Sequence, residues 1–259
     1  MDPTSVAGVA LTVALVAGCQ WLEGGALRTL AQGAAALVVF GGTAAALLVS
    51  FPFETLRRAI AAAARAFLTR PVSELALVGQ FKQYAMCTRR RGVLVLERDI
   101  ADAGDLFLAR ALELAVDGHR PDDIRRALEI DSRTREDRDE ACAGVLEAAA
   151  GYAPTMGILG AVLGLIQVME HLASPSRLGE GIAVAFVATV YGVASANLLF
   201  MPLATRMRAA ARADAVTREL VIEGMTAIQA GMHPRTLEEQ LLAFVAEAGA
   251  RASVSDRAA

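Results

Sequence analysis

Four stretches of this 259-residue chain contain no Asp, Glu, Lys or Arg: residues 6–22, 30–51, 152–169 and 182–203. At about 1.5 Å of helical rise per residue they reach roughly 26–33 Å, which matches the ~30 Å hydrocarbon core of a bilayer. The chain is 55% hydrophobic and yet 20% charged, and most of the charge lies in residues 54–147 and from Arg206 onward. Charge and apolar character segregated in this way fit a chain solvated by lipid in some segments and by water in others. The expected fold is an all-α membrane protein with four transmembrane helices and a helical cytoplasmic domain between the second and third.

The net charge of -3 conceals an asymmetry between the flanks of these spans. Arg57, Arg58, Arg65 and Arg70 follow the second span and Arg206, Arg208 and Arg212 follow the fourth, whereas the short connections carry only Arg28 and Arg177. By the positive-inside rule the middle segment and the C-terminal tail are cytoplasmic, and an even number of spans puts the N-terminus there too. The expected organisation is a transmembrane hairpin at 1–53, a cytoplasmic helical domain at 54–150, a second transmembrane pair at 151–204 and a cytoplasmic helix and tail at 205–259. Leu15-Val16-Ala17-Gly18-Cys19 looks like a lipoprotein cleavage box. No Lys or Arg precedes Arg28, however, and another span follows at once, so neither cleavage nor lipidation is expected.

Within the cytoplasmic segment the Ala-, Leu- and Arg-rich stretches 56–68, 107–116 and 124–128 have helical periodicity. Asp117-Gly118-His119-Arg120-Pro121-Asp122-Asp123 predicts a stop and a restart, because Gly ends helices while Pro and acids open them. From Ser132 the pattern runs unbroken into the third span, so one long helix is expected to enter the membrane. The third and fourth spans carry small residues at helical spacing: Ala153, Gly157, Gly160, Ala161 and Gly164 in one, and Gly181, Ala185, Thr189 with Ala188, Gly192, Ala196 in the other. Such faces let membrane helices approach closely, either within one chain or between subunits.

Several chemistries have no signature here. No nucleophile elbow, phosphate loop or dinucleotide fingerprint occurs, and the three Cys and three His are scattered, so no catalytic residue, cofactor or metal site is expected. The apolar spans also lack the intramembrane carboxylate that ion-translocating proteins usually retain. If this chain takes part in ion flow, the ion-binding group comes from another polypeptide, and this chain lines the path with Thr189, Asn197, backbone carbonyls and water. Pro154 and Pro202 stand at the two ends of this pair of spans and act either as helix boundaries or as hinges.

A set of short motifs spread over the chain is more specific than any one of them. Leu22-Glu23-Gly24-Gly25, Gly41-Gly42-Thr43, Arg89-Arg90-Arg91-Gly92-Val93-Leu94-Val95-Leu96-Glu97, Ala153-Pro154-Thr155-Met156-Gly157, Thr189-Val190-Tyr191-Gly192 and Gly231-Met232-His233-Pro234 occur in this order. The chain to about residue 244 thereby resembles the flagellar motor stator family of MotA and its sodium-driven relative PomA. The resemblance implies a bacterial inner-membrane protein, present as a pentamer around the single spans of a MotB-like, peptidoglycan-anchored partner that supplies the ion-binding aspartate. It further implies that Pro154 and Pro202 couple ion passage to movement, and that Arg89 or Arg90, with Glu97, contacts the rotor switch protein FliG. Their spacing of eight places Arg89 and Glu97 on about one helical face.

Ala161 and Thr189 fall on the ion pathway of that family. Sodium-driven relatives carry a threonine where this chain has Ala161, which implies the proton as the coupling ion. The rival readings are an ExbB/TolQ-type energiser, expected to have three spans, and a non-conducting membrane scaffold. Nucleic acid is not an expected partner.

Overall fold

The computed structural model of the chain describes residues 31–68, 73–171 and 175–258, together with Gly8, Leu11, Ala14 and Gly18. Apart from those four positions, the expected first span at 6–22 and the connection at 23–29 lie outside the described residues. Among the described residues all regular structure is helical. The helices are α1 (Gly33–Ser50), α2 (Phe53–Leu68), α3 (Glu74–Arg91), α4 (Glu97–Ala101), α5 (Leu106–Val116), α6 (Pro121–Glu170), α7 (Pro175–Ser195), α8 (Met201–Gln229) and α9 (Pro234–Ala258). Three helical stretches, Gly33–Ser50, Pro121–Glu170 and Gly181–Gln229, are long and apolar enough to cross a membrane; the first lies within the second apolar stretch, 30–51, and the other two include the third and fourth, 152–169 and 182–203.

The chain divides into two compact units, Met1–Thr69 with Asp139–Ala209, and Arg70–Arg138 with Ala210–Ala259. In the first, α6 and α7 meet backbone to backbone. A Cβ built on Gly192 would stand 2.6 Å from the Ala153 carbonyl oxygen and 3.1 Å from Gly157 Cα. One on Gly164 would stand 2.8 Å from the Gly181 oxygen, and one on Gly157 would stand 2.9 Å from the Ala188 oxygen. The small residues of the two spans therefore face each other within the chain, and only a missing side chain permits the approach. Helix α1 packs on the same pair: Val39 and Ala35 are buried with Val187 and Ala188, and a Cβ on Gly42 would meet the Met156 sulfur at 2.7 Å. The surfaces left over carry exposed Leu37, Ile158, Leu163, Ile166, Phe186 and Val193.

The second unit has a conventional hydrophobic core. Phe81, Leu96, Phe107, Leu112, Ile124 and Leu128 are fully buried with Leu220, Met225, Leu237 and Leu241. Segments 54–150 and 205–259, well separated along the chain, both contribute to this core. Two ends follow the expected signals. Helix α5 closes at Val116 before Gly118, at φ 79°, and α6 opens on Pro121. In α6–α8 packing, Arg125 donates to both carboxylate oxygens of Glu223, at 2.7 and 3.0 Å, and this pairing holds its guanidinium proton more firmly than usual.

The glycine contact generates a test. Gly192→Ala forces α6 and α7 apart and is expected to cost about 1–3 kcal/mol, the usual range for overpacking. Gly179→Ala adds a methyl group with nothing within 4 Å and is expected to be neutral. Thermal unfolding of the detergent-solubilised protein separates them, and equal melting temperatures would show that the contact is not tight.

Candidate functional site

The prolines do not end helices. Pro154 lies inside α6, which runs unbroken from Pro121 to Glu170, so it removes the amide that would bond to the Ala150 carbonyl without stopping the helix. Pro202 is the second residue of α8, and the chain enters α8 directly from α7 through a π-helical turn at Ala196–Phe200. The expectation that either residue sets a helix boundary is thus corrected. Proline cannot donate to the carbonyl four residues back, here Leu198, and its ring crowds that carbonyl. The widened π turn at Ala196–Phe200, which includes Leu198, accommodates both.

Pro154 also lies in the tightest part of the glycine contact, since its Cα is 3.2 Å from the position of a Cβ on Gly192. Thr189 is close by: its Cα is 3.4 Å from a Cβ placed on Gly157. Ala161 follows Gly157 by one turn of α6 and is half-buried. The structure therefore gathers Pro154 and Thr189 at one contact between α6 and α7, with Ala161 one turn beyond Gly157 on α6 and Pro202 farther along the chain beyond the π turn.

Most polar groups in this region bond within their own helices, the exception being the Tyr152 and Ser50 hydroxyls, which pair between α6 and α1 at 2.9 Å. Thr189 Oγ1 donates to the Ala185 carbonyl at 3.2 Å and Asn197 Nδ2 donates to Val193 at 2.9 Å. Thr43, fully within α1, donates to Val39 at 2.6 Å. Each hydroxyl keeps lone pairs free to accept, but none of these groups exchanges a proton near neutral pH. Among the described residues no cluster of His, Cys, Asp or Glu could hold a metal ion.

A second feature was not foreseen from the sequence. Six residues beyond Pro202, Arg208 bridges α8 to α6, donating to Glu140 through Nη2 at 2.8 Å and Nε at 3.1 Å, and to Glu147 through Nη2. Hydrogen bonds from Glu140 and then Glu147 raise its pKa well above the ordinary arginine value, so the charge is permanent. Glu140 and Glu147 are seven apart and share a face of α6. That spacing is visible in the sequence, but it is equally the mark of a solvated face, and only packing singles it out.

The cytoplasmic charges are arranged differently from the expected single helical face. Helix α3 stops at Arg91, Gly92 takes φ 82°, a 3-10 turn follows at Val93–Leu96, and Glu97 opens α4. Arg89 and Glu97 sit on separate helices, because the glycine breaks the register that a spacing of eight presumes. Arg89, Arg90 and Glu97 are all exposed. Arg89 and Arg90 line a cleft of about 320 Å³ together with Lys82, Met86 and the His233-Pro234-Arg235 start of α9. There His233 Nδ1 accepts the Arg235 amide at 3.3 Å, capping α9. Two motifs far apart in sequence thus meet in one basic cleft.

Comparison with known proteins follows the same lines. Residues 100–220 match the model of the MotA/TolQ/ExbB proton channel family. The motility protein A of Bacillus subtilis (strain 168) is 33% identical over 95% of this chain and 91% of its own length. Among solved structures, the flagellar MotAB stator complex from Bacillus subtilis matches with a TM-score of 0.84 and 33% identity, covering 93% of this chain and 95% of the matched one. The structure of C. jejuni MotAB gives a TM-score of 0.86 at 29% identity, covering 94% and 96% respectively.

Proposed function

Because this chain belongs to the motility protein A family, within the MotA/TolQ/ExbB proton channels, we propose that it is a stator subunit of the bacterial flagellar motor, working in complex with a MotB-like partner. The observation that carries this is the pairing of close similarity to MotAB stator chains with spans that hold no carboxylate of their own. A cation crossing between such helices needs a group that binds and releases it. The partner's membrane aspartate supplies that group, and α6 and α7 of this chain provide the wall against which it works.

The finer reading extends this. The chain crosses the bacterial inner membrane four times with both termini in the cytoplasm, and five copies surround the partner's single spans. Protonation of the partner's aspartate changes which wall of α6 and α7 it prefers. Helices carrying Pro154 and Pro202 bend at lower cost than unbroken ones, because each proline leaves a carbonyl without its helical donor. Arg89, Arg90 and Glu97 meet charges of the rotor protein FliG, where exposed charges set the register and the rate of encounter more than they add affinity.

The coupling ion is the proton. Sodium must replace its hydration shell with several oxygen ligands, and at Ala161 this chain offers a methyl group in place of a hydroxyl. Thr189 remains, with its own proton committed to Ala185. In tethered cells driven by this chain and its partner, rotation is expected to continue when external sodium is removed at fixed pH and to stop when a protonophore collapses the proton gradient. The reverse pattern assigns sodium.

The rotor contact has its own test. Arg89→Glu and Glu97→Arg are each expected to reduce swimming several-fold without lowering the amount of assembled complex, since neither side chain is buried. Restoration by a charge reversal in the rotor marks a direct contact, whereas normal swimming in both variants would leave these residues as solvated surface.

A further inference from the structure

The π turn at Ala196–Phe200 changes which side of α8 faces α6. Gly192, before the turn, faces α6, since a Cβ there would meet Ala153, Pro154 and Gly157. Ala204 follows Gly192 by twelve residues, and at about 100° per residue an unbroken α-helix would carry it about 120° round, off that contact. Ala204 is nevertheless fully buried. A π turn bonds each amide one residue farther back than an α-turn does, so it takes up one extra residue, or about 100° of phase. With that subtracted, Ala204 stands about 20° from Gly192 and Met207 about 40° from it on the other side. Met207 is buried among Cys142, Ala143 and Val145 of α6, whereas Thr205, about 120° away, is exposed. Burial beyond the turn therefore follows the shifted phase.

At Arg208 the shift has a chemical consequence. In an unbroken α-helix Arg208 would stand about 160° from Gly192 and point away from α6, but the shift brings it to about 60°. There Nη2 donates to Glu140 at 2.8 Å and to Glu147 at 2.5 Å, and Nε donates to Glu140 at 3.1 Å. Glu147 and Glu140 precede Pro154 by seven and fourteen residues, and a heptad drifts by only about 20°, so both acids share the side of α6 that carries Pro154. The clasp closes only when α8 has the phase that the π turn gives it.

The turn does not secure that phase by itself. Pro202 has no amide to give Leu198, so an α-helical course through this segment would lack a bond there as well. The widened and the α-helical course are thus close in hydrogen bonding, yet they differ by about 100° in the direction of everything beyond them. Exchange between the two would absorb a small movement at the α6–α7 contact. A guanidinium bonded to two carboxylates opposes that exchange.

We propose that Arg208 is a positioning residue of the coupling step: with Glu140 and Glu147 it locks the phase of α8 to α6, so that displacement at the wall of the ion path passes along α8 instead of being taken up in the π turn. This rests on the reading of the chain as a stator subunit, and one arm of the test is independent of that reading.

The first arm reads the phase. In a chain with Cys19, Cys87 and Cys142 replaced by alanine, Ala204→Cys and Thr205→Cys are labelled with a maleimide in open membrane fragments holding the complex with the partner. With Thr205→Cys as the exposed reference, Ala204→Cys is expected to be protected, to react several-fold faster when Arg208→Gln is added, and to stay protected with Arg208→Lys. Free reaction of Ala204→Cys with Arg208 in place contradicts the phase, and unchanged protection in Arg208→Gln overturns the lock, whether or not the chain drives a motor.

The second arm reads coupling in cells that lack stator proteins of their own. Arg208→Gln, and Glu140→Gln with Glu147→Gln, are each expected to slow rotation several-fold while the amount of complex and the acidification seen with the partner change little. Combining all three substitutions is expected to slow rotation no further, because each set removes the same interaction. Arg208→Lys keeps the charge and is expected to keep most of the speed. Full-speed rotation in Arg208→Gln, or rotation and acidification falling in parallel, overturns the positioning role and leaves the stator reading intact. If the unaltered chain with its partner drives no rotation, the stator reading falls and the positioning role with it.

Discussion

The contact between α6 and α7 is the constraint from which the rest of the membrane-facing unit follows. In lipid no hydrophobic force draws apolar helices together, so their association depends on how closely they pack. Gly157, Gly164, Gly181 and Gly192 bring the backbones to distances at which a single methyl group would collide with a carbonyl oxygen. Once the small residues are spent in this way, the remaining faces present large aliphatic side chains to whatever surrounds them. Pro154 and Thr189 lie in or beside the contact, so its geometry sets theirs.

The polar chemistry of the unit is just as economical. Thr43, Thr189 and Asn197 return their protons to carbonyls of their own helices, the ordinary way to satisfy such groups away from water, while the Tyr152 and Ser50 hydroxyls pair across α6 and α1 at 2.9 Å. What remains is a wall of low polarity with two built-in weak points, the missing amides of Pro154 and Pro202. At the charged end of α8 the balance reverses. Arg208 with Glu140 and Glu147 ties α8 to α6 just past the π turn, so the widened segment lies between a glycine contact on one side and an ionic clasp on the other. Charge placed there suits a part of the chain where water and headgroups can solvate it.

How much of this could be read in the sequence depended on the range of the interaction concerned. Periodicity and breakers are local, and so helices long and apolar enough to cross a membrane cover most of the second, third and fourth apolar stretches, and the stop at Gly118, the restart at Pro121 and the unbroken helix from Ser132 onward match the sequence reading. The small-residue rows were visible, but their partners were not: spacing alone cannot tell a face that meets its own chain from one that meets another subunit. The prolines misled in one direction. A proline near the end of an apolar run reads as a boundary, and the π turn that lets the helix continue through Pro202 has no sequence signature of its own. Arg89 and Glu97 misled in another, since Gly92 at positive φ breaks the helix between them. The basic cleft joining Arg89 and Arg90 to His233 is a product of tertiary packing between α3 and α9.

The central claim is that this chain builds the wall of an ion path but not its ion-binding group. Internal pH, followed in cells expressing this chain alone, with its partner, or with a partner whose membrane aspartate is replaced by asparagine, tests that claim most directly. Acidification is expected only with the intact partner. Comparable acidification by this chain alone, or with the asparagine partner, would contradict it.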